Sequence, residues 1–446
     1  MSETDSEADS AGKTATARRK RRKWPIIAAV VVVVLGVAGY FIFKGRGGES
    51  AAAIAAGGEA QPSAEAAADA RAVHDAVLVL DSHADVLLPE TPKRYYAPDG
   101  GSRVSLEQLA EGGVDAVVLA VAVGPGPETP EGDAAVRKEA DDKLAAIRKF
   151  IAGSDGRAEQ ALSADDVERI HKDGRIAVLI GFQNARILGA DLSAFDKYYE
   201  AGVRVAALNH AGHNAFSDSS RPSDPDEVER HKGLSELGKQ AVQRFNDLGV
   251  LIDVSQLSTA ALLQTLELTR APVAATHSDA RTLLDNTRNL SDAELDAIKA
   301  NGGVVQATPF STYLHKLSEE ERAKVREVRV AHGLSAEFGS ATEGYTALPE
   351  DKRDAFLNDL QPKIARATLS DFVDHIDYIA KRIGVEHVGI GTDFNHGSGV
   401  DGFDGEKDAP NVTAELVKRG YTQEQIAGIW GGNFLRVLRA AQAAKK

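Results

Sequence analysis

The chain has no cysteine among its 446 residues, one methionine and two tryptophans. Without cysteine there are no disulfides, zinc ribbons, thiol nucleophiles or lipid-modified cysteine anchors, and the redox compartment stays open. Basic charge is also scarce, with 52 Lys and Arg against 66 Asp and Glu for a formal net charge of −14. Nucleic-acid binding needs a basic face, so no such partner is expected. Aromatic residues make up 6% and hydrophobic residues 43%, which suits one large globular domain with appendages. Only one apolar run is long, WPIIAAVVVVVLGVAGYFIF at residues 24–43.

That run is uncharged and close to the roughly 20 residues a membrane-spanning helix requires. Six consecutive basic residues, Arg18 to Lys23, precede it and outweigh Lys44 and Arg46 behind it. The positive-inside rule then predicts a single-pass anchor with a cytoplasmic N-terminus and an extracytoplasmic (periplasmic or extracellular) folded domain. A cleaved signal peptide is the competing reading, but the apolar part is long for one and no convincing small-x-small cleavage site follows. The expected order is a disordered cytoplasmic tail with its basic cluster (1–23), a transmembrane helix (24–43), a flexible linker rich in Ala, Gly, Ser and Glu (44–68) and a folded domain (69–446).

In the folded part, apolar strand-like runs alternate with helix-like segments. The strands are expected at 76–83, 114–123, 175–182, 203–209, 249–255, 272–277, 303–309 and 387–393, with helices including 136–152, 235–247 and 292–300, the last capped by Ser291. Eight such units predict an α/β fold, a (β/α)8 TIM-type barrel. A charged, helix-prone insertion at 311–365 separates the last two strands. An insertion there falls on the face where barrels carry their sites, so it reads as a lid or a homodimer contact, or else as a solvated excursion.

The polar residues closing these strands are His83 and Asp85, Gln183, His210, Gln256, His277 and Asp393. In AVLVLDSHADVL (76–87), His83 and Asp85 stand at i and i+2 of an extended segment, so an imidazole and a carboxylate point the same way, as a divalent metal requires. On its own the pair could equally be a polar strand end. Three histidines and two aspartates at successive strand ends of one barrel favour a site. His213 suits a loop hydrogen bond, His375 a structural role in its helix, and His396 could replace a lost ligand.

DSHADVL, LNHAGHNAFSDSS (208–220), GLSELGKQAVQRFNDLGVLIDVSQLS (233–258), APVAATHSDAR (271–281), TRNLSDAELDAI (287–298), NGGVVQATPF (301–310), HVGIGTDFNHG (387–397) and GGNFLRVL (431–438) together resemble the membrane dipeptidase, or renal dipeptidase, family of metal-dependent peptidases on an amidohydrolase-like barrel. The resemblance implies that His83 and Asp85 bind one zinc of a two-zinc centre and that His277 binds the second. It implies that His210 contacts the scissile carbonyl, that Arg288 holds the substrate carboxylate and that Asp393 is the catalytic acid and base. Gln183 stands where the family carries a bridging glutamate, and Gln256 where the second zinc has its other histidine. A neutral amide is a weak zinc ligand and cancels no charge. One divalent ion, zinc by family preference, is therefore expected rather than two.

The expected function is hydrolysis of dipeptides with a free C-terminal carboxylate by a metal-activated water. Asp393 would move the proton, His210 would stabilise the oxyanion and Arg288 would clamp the carboxylate. The alternatives are a metal-dependent hydrolase of another amide, a lactam or a lactone, and a non-catalytic extracytoplasmic binding protein built on the same fold.

Overall fold

Nine strands, all paired in parallel, alternate with helices: β1 Leu80–Asp85, β2 Ala116–Ala122, β3 Ala158–Gln160, β4 Ile176–Gln183, β5 Val203–Ala207, β6 Leu251–Asp253, β7 Ala274–Ala275, β8 Val304–Ala307 and β9 Val388–Ile390. A computed structural model describes residues 64–223 and 227–446. The expected tail and membrane helix, and most of the expected linker, lie outside the described residues. Among the described residues no helix is long and apolar enough to cross a membrane.

The sheet runs β1-β2-β4-β5-β6-β7-β8-β9. It closes where Ala84 bridges Phe394, with the Asp85 N–H on the Phe394 carbonyl at 2.9 Å and the Asp393 N–H on the His83 carbonyl at 2.7 Å. This is a parallel α/β barrel, as the alternation of elements predicts. Strands such as β2 (AVVLAVA) are buried along their whole length, because helices cover the outer face and side chains fill the inside. Three-residue β3 is an addition to the expected strands. It pairs with Ile176 to Val178 of β4, below the stretch from Ile180 onward that β5 covers, and its polar sequence AEQ carries no strand-like pattern.

Three of the covering helices stand out by their sequence. Helix α1 (Pro130–Ala152) starts earlier than expected because Thr129 caps it and Pro130 suits its first turn. Its buried stripe comprises Val136, Ala140, Lys143, Leu144 and Ile147, an apolar pattern interrupted by one lysine. Helix α2 (Asp292–Asn301) begins with the anticipated Ser291 cap, completed by Glu294 into a capping box. The 311–365 segment has its own small core of Val325, Val328, Phe338, Ala341, Leu348, Phe356 and Leu360.

Helix α3 (Leu369–Ile383) packs against β8 and β9, and the Nδ1 atom of its His375 accepts the Ala280 N–H at 3.1 Å. Burial lowers the pKa of this imidazole from 6.5 to about 4. The folded value lies below the unfolded one, so the unfolded chain takes up the proton first. His375 therefore costs nothing above about pH 6.5 and removes stability as the pH falls towards 4, by about 3 kcal/mol in full. Urea unfolding at pH 7 and pH 4.5 should show this loss. His375→Gln, which keeps an acceptor for Ala280 but does not titrate, should make the wild-type slope shallower.

Candidate active site

The mouth of the barrel is set from below by buried carboxylates that hold threonines. Asp81 Oδ1 accepts the Thr392 N–H at 2.8 Å and its Oδ2 accepts the Thr392 hydroxyl at 2.7 Å. Asp253 treats Thr276 the same way, at 3.0 Å and 2.6 Å. Asp279 Oδ1 takes the Thr308 N–H at 3.2 Å. Thr392 and Thr276 immediately precede Asp393 and His277, so each tie fixes a strand end one residue before a site residue. Above the ties the chain turns sharply. Asn184, Ala211, Gln256, Asp393 and Asn395 all have positive φ without being glycine, a conformation that persists only where the surroundings impose it.

On this base His83, Asp85, Gln183, His210, Gln256, His277, Arg288 and Asp393 converge, all buried. His83 stacks on His277 with ring centroids 4.0 Å apart, and its Nε2 lies 3.8 Å from Asp393 Oδ1. That Nε2 has no hydrogen-bond partner, and neither has Asp85 Oδ1. Buried polar atoms are ordinarily satisfied, so an imidazole nitrogen and a carboxylate oxygen left open on one strand end are donors that a divalent ion would satisfy. Asp253, with His83 and His277, also lies within the span of a cation site. Its oxygens, however, already accept from Ser255, at 2.8 Å, and from Thr276, so it orients the site rather than opening onto it.

His277 is arranged differently. Its Nδ1 meets the Thr276 hydroxyl at 2.9 Å, and that hydroxyl donates to Asp253. The proton therefore belongs on Nδ1 and the lone pair on Nε2, the tautomer that suits a metal-binding histidine held from behind. Gln183 and Gln256, however, both place their amide nitrogens 3.2 Å from Nε2. Gln256 cannot turn its oxygen inward, because that oxygen accepts the Ala211 N–H at 2.9 Å. From sequence both glutamines are expected to be weak ligands, whereas the hydrogen-bond network makes them N–H donors that occupy the His277 lone pair. Burial, then the neighbouring His83, pushes the His277 pKa well down.

Asp85 has one oxygen engaged. Its Oδ2 meets His396 Nδ1 at 2.6 Å and the Lys143 ammonium at 3.5 Å. Burial would raise this carboxyl, but Lys143 foremost, then His396 and His83, hold it well below the ordinary range. His396 therefore bonds to a candidate ligand rather than replacing one. Lys143 is not among the residues expected from sequence, its only signal being a lysine within an apolar helical stripe.

His210 meets the Val123 carbonyl through Nδ1 at 2.8 Å, so Nδ1 carries the proton. Burial and then His396 push its pKa well down, leaving a neutral ring whose Nε2 lone pair serves the cavity that His210 lines. Asp393 is shifted the other way, its pKa raised by burial. His213 has the loop role expected of it, accepting the Ser219 N–H at 2.9 Å.

His210, Gln256, Arg288, Asp393 and His396 line a cavity of about 180 Å³ walled by both barrel loops and the 311–365 segment, through Tyr313, Thr342, Tyr345 and Leu357. Arg288 is buried, with its guanidinium 5.3 Å from the Tyr313 ring centre and Nη1 unpartnered. Arg221 lies 5.7 Å from the ring centres of both Tyr313 and Tyr345. Among the described residues neither arginine has a carboxylate partner. The Thr276 tie supports the whole mouth, so Thr276→Val, which leaves Asp253 Oδ2 without its donor, should lower the unfolding free energy by about 1–3 kcal/mol, measured by urea denaturation.

The family model of membrane dipeptidases (peptidase family M19) matches residues 67–446. The dipeptidase tcpJ of Claviceps purpurea is 29% identical over 353 residues, covering 77% of this chain and 70% of that protein. The dipeptidase aclJ of Aspergillus oryzae is 31% identical over 60% of this chain, which spans 52% of the length of that relative. Among solved structures, the probable dipeptidase PvdM from Pseudomonas aeruginosa superposes with a TM-score of 0.78 at 36% identity, covering 85% of this chain and 99% of that one. A match running through the whole barrel places this chain in the membrane dipeptidase family, peptidase family M19.

Proposed function

We propose that this protein hydrolyses dipeptides, or closely related small amides with a free carboxylate, at a centre holding one divalent ion, zinc by family preference. The observation that carries the reading is a cavity lined by both Asp393 and Arg288, whose Nη1 is unpartnered, with the open His83 Nε2 3.8 Å from Asp393 Oδ1 and the open Asp85 Oδ1 on the same strand end as His83. His83 and Asp85 would hold the ion. Bound there, it would supply Lewis acidity to the scissile carbonyl and make water more acidic.

The remaining work falls to the chain itself. Arg288, fixed against Tyr313 and desolvated, is placed to take the substrate carboxylate in a bidentate pair. Asp393 is held by its own backbone bond to His83, with its carboxyl raised by burial, which suits a group that accepts a proton from water and returns it to the leaving amine. His210 with its Nδ1–H on Val123 offers a lone pair, so it orients a substrate N–H. To stabilise an oxyanion, the role implied by the resemblance, it would first have to gain a proton on Nε2.

The same reading keeps residues 24–43 as a membrane anchor with the barrel outside, supported by the length of that run and the basic cluster before it. Steady-state assays on a dipeptide panel test the chemistry. Asp393→Asn should lower kcat/KM by about 10²–10⁴, and Arg288→Met should act mainly by raising KM. Unchanged turnover in Asp393→Asn would remove its assigned role.

A further inference from the structure

We propose that Lys143 supplies, as a fixed side-chain charge, the positive charge that a second metal ion would otherwise bring to Asp85, and that it thereby sets how tightly the centre holds its single ion. The inference rests on the one-ion reading of the proposed function. Lys143 lies on the inward stripe of α1 among Val136, Ala140, Leu144 and Ile147, at 7% exposure. A lysine is seldom buried without a charge partner, and its partner here is Asp85 Oδ2 at 3.5 Å. The same oxygen carries His396, so only Oδ1 of Asp85 is without a partner.

Charge counting leads to the same conclusion. The buried groups facing the mouth include two carboxylates, Asp85 and Asp393, and two side-chain cations, Lys143 and Arg288. These four cancel among themselves, while Asp253, bonded to Ser255 and Thr276, adds a further carboxylate beside His83 and His277. A second ion has no seat at His277, where two neutral amides hold the lone pair. The first ion must bind close to a compact ammonium that cannot move far from Asp85. Replacing Lys143 by a neutral side chain removes one positive charge from beside Asp85, whose Oδ2 keeps its bond to His396.

The test uses the full chain, stripped with a chelator and titrated with Zn²⁺ alone by calorimetry and by competition with a chromophoric chelator. Bound metal is counted after dialysis. Lys143→Met should bind one ion at least about tenfold more tightly than wild type, while Lys143→Arg, which keeps the charge, should stay near wild type. Thermal unfolding verifies folding, and Lys143→Gln decides the matter if the Met variant does not fold. Equal or weaker binding in the neutral variants, or tightening as large in the Arg variant, overturns the proposal.

The outcomes also separate the two readings. Wild type binding one ion with no change in the neutral variants removes the role of Lys143 and leaves the one-ion centre. Wild type binding none while a neutral variant binds one supports Lys143 and removes the one-ion reading of the native protein. No binding in any form overturns both.

Discussion

A carboxylate inside the barrel holding the threonine that precedes a site residue is the interaction on which the mouth depends. Asp81 does this for Thr392 and Asp393, and Asp253 for Thr276 and His277. Each pair joins strand ends that short parallel ladders leave poorly fixed, since β7 spans only Ala274–Ala275 and β9 only Val388–Ile390. The ties also specify chemistry. Thr276 takes the Nδ1 proton of His277, sets its tautomer, and so decides which nitrogen faces the cavity.

Above that base the electrostatics depart from a two-metal design. Neutral Gln183 and Gln256 donate where anionic or imidazole ligands would accept, and Lys143 brings a positive charge within 3.5 Å of Asp85. All three features lower the demand for metal charge, since a centre with amides at the two ligand positions and an ammonium beside Asp85 has room for fewer cations. What remains without a partner is His83 Nε2, 3.8 Å from Asp393 Oδ1, and Asp85 Oδ1.

Much of this was legible in the chain. His83 and Asp85 could be picked out because an i, i+2 spacing on a strand puts two ligands on one side, Gln183, His210, Gln256, His277 and Asp393 because barrel strands end in them, and Arg288 only through the family resemblance. The strands themselves follow from apolar runs buried on both faces. Lys143 escaped because a helix of 23 residues contains several lysines, and only packing distinguishes the one that turns inward. Asp81, Asp253 and Thr276 escaped because their roles depend on which strands are neighbours, and pairing is not written in local pattern. The amide orientation of Gln256 was equally hidden, since it is fixed by the N–H of Ala211, 45 positions away. β3 was too short and too polar to stand out.

The central claim is a single metal seat on β1 with the His277 position closed. The most direct measurement is anomalous diffraction at the zinc edge from crystals of the wild-type protein equilibrated with Zn²⁺. The account predicts one peak at the mouth, within bonding distance of His83 Nε2 and Asp85 Oδ1, with the Gln183 and Gln256 amides still on His277. A peak bonded to His277 Nε2, alone or as one of a bridged pair, would contradict it.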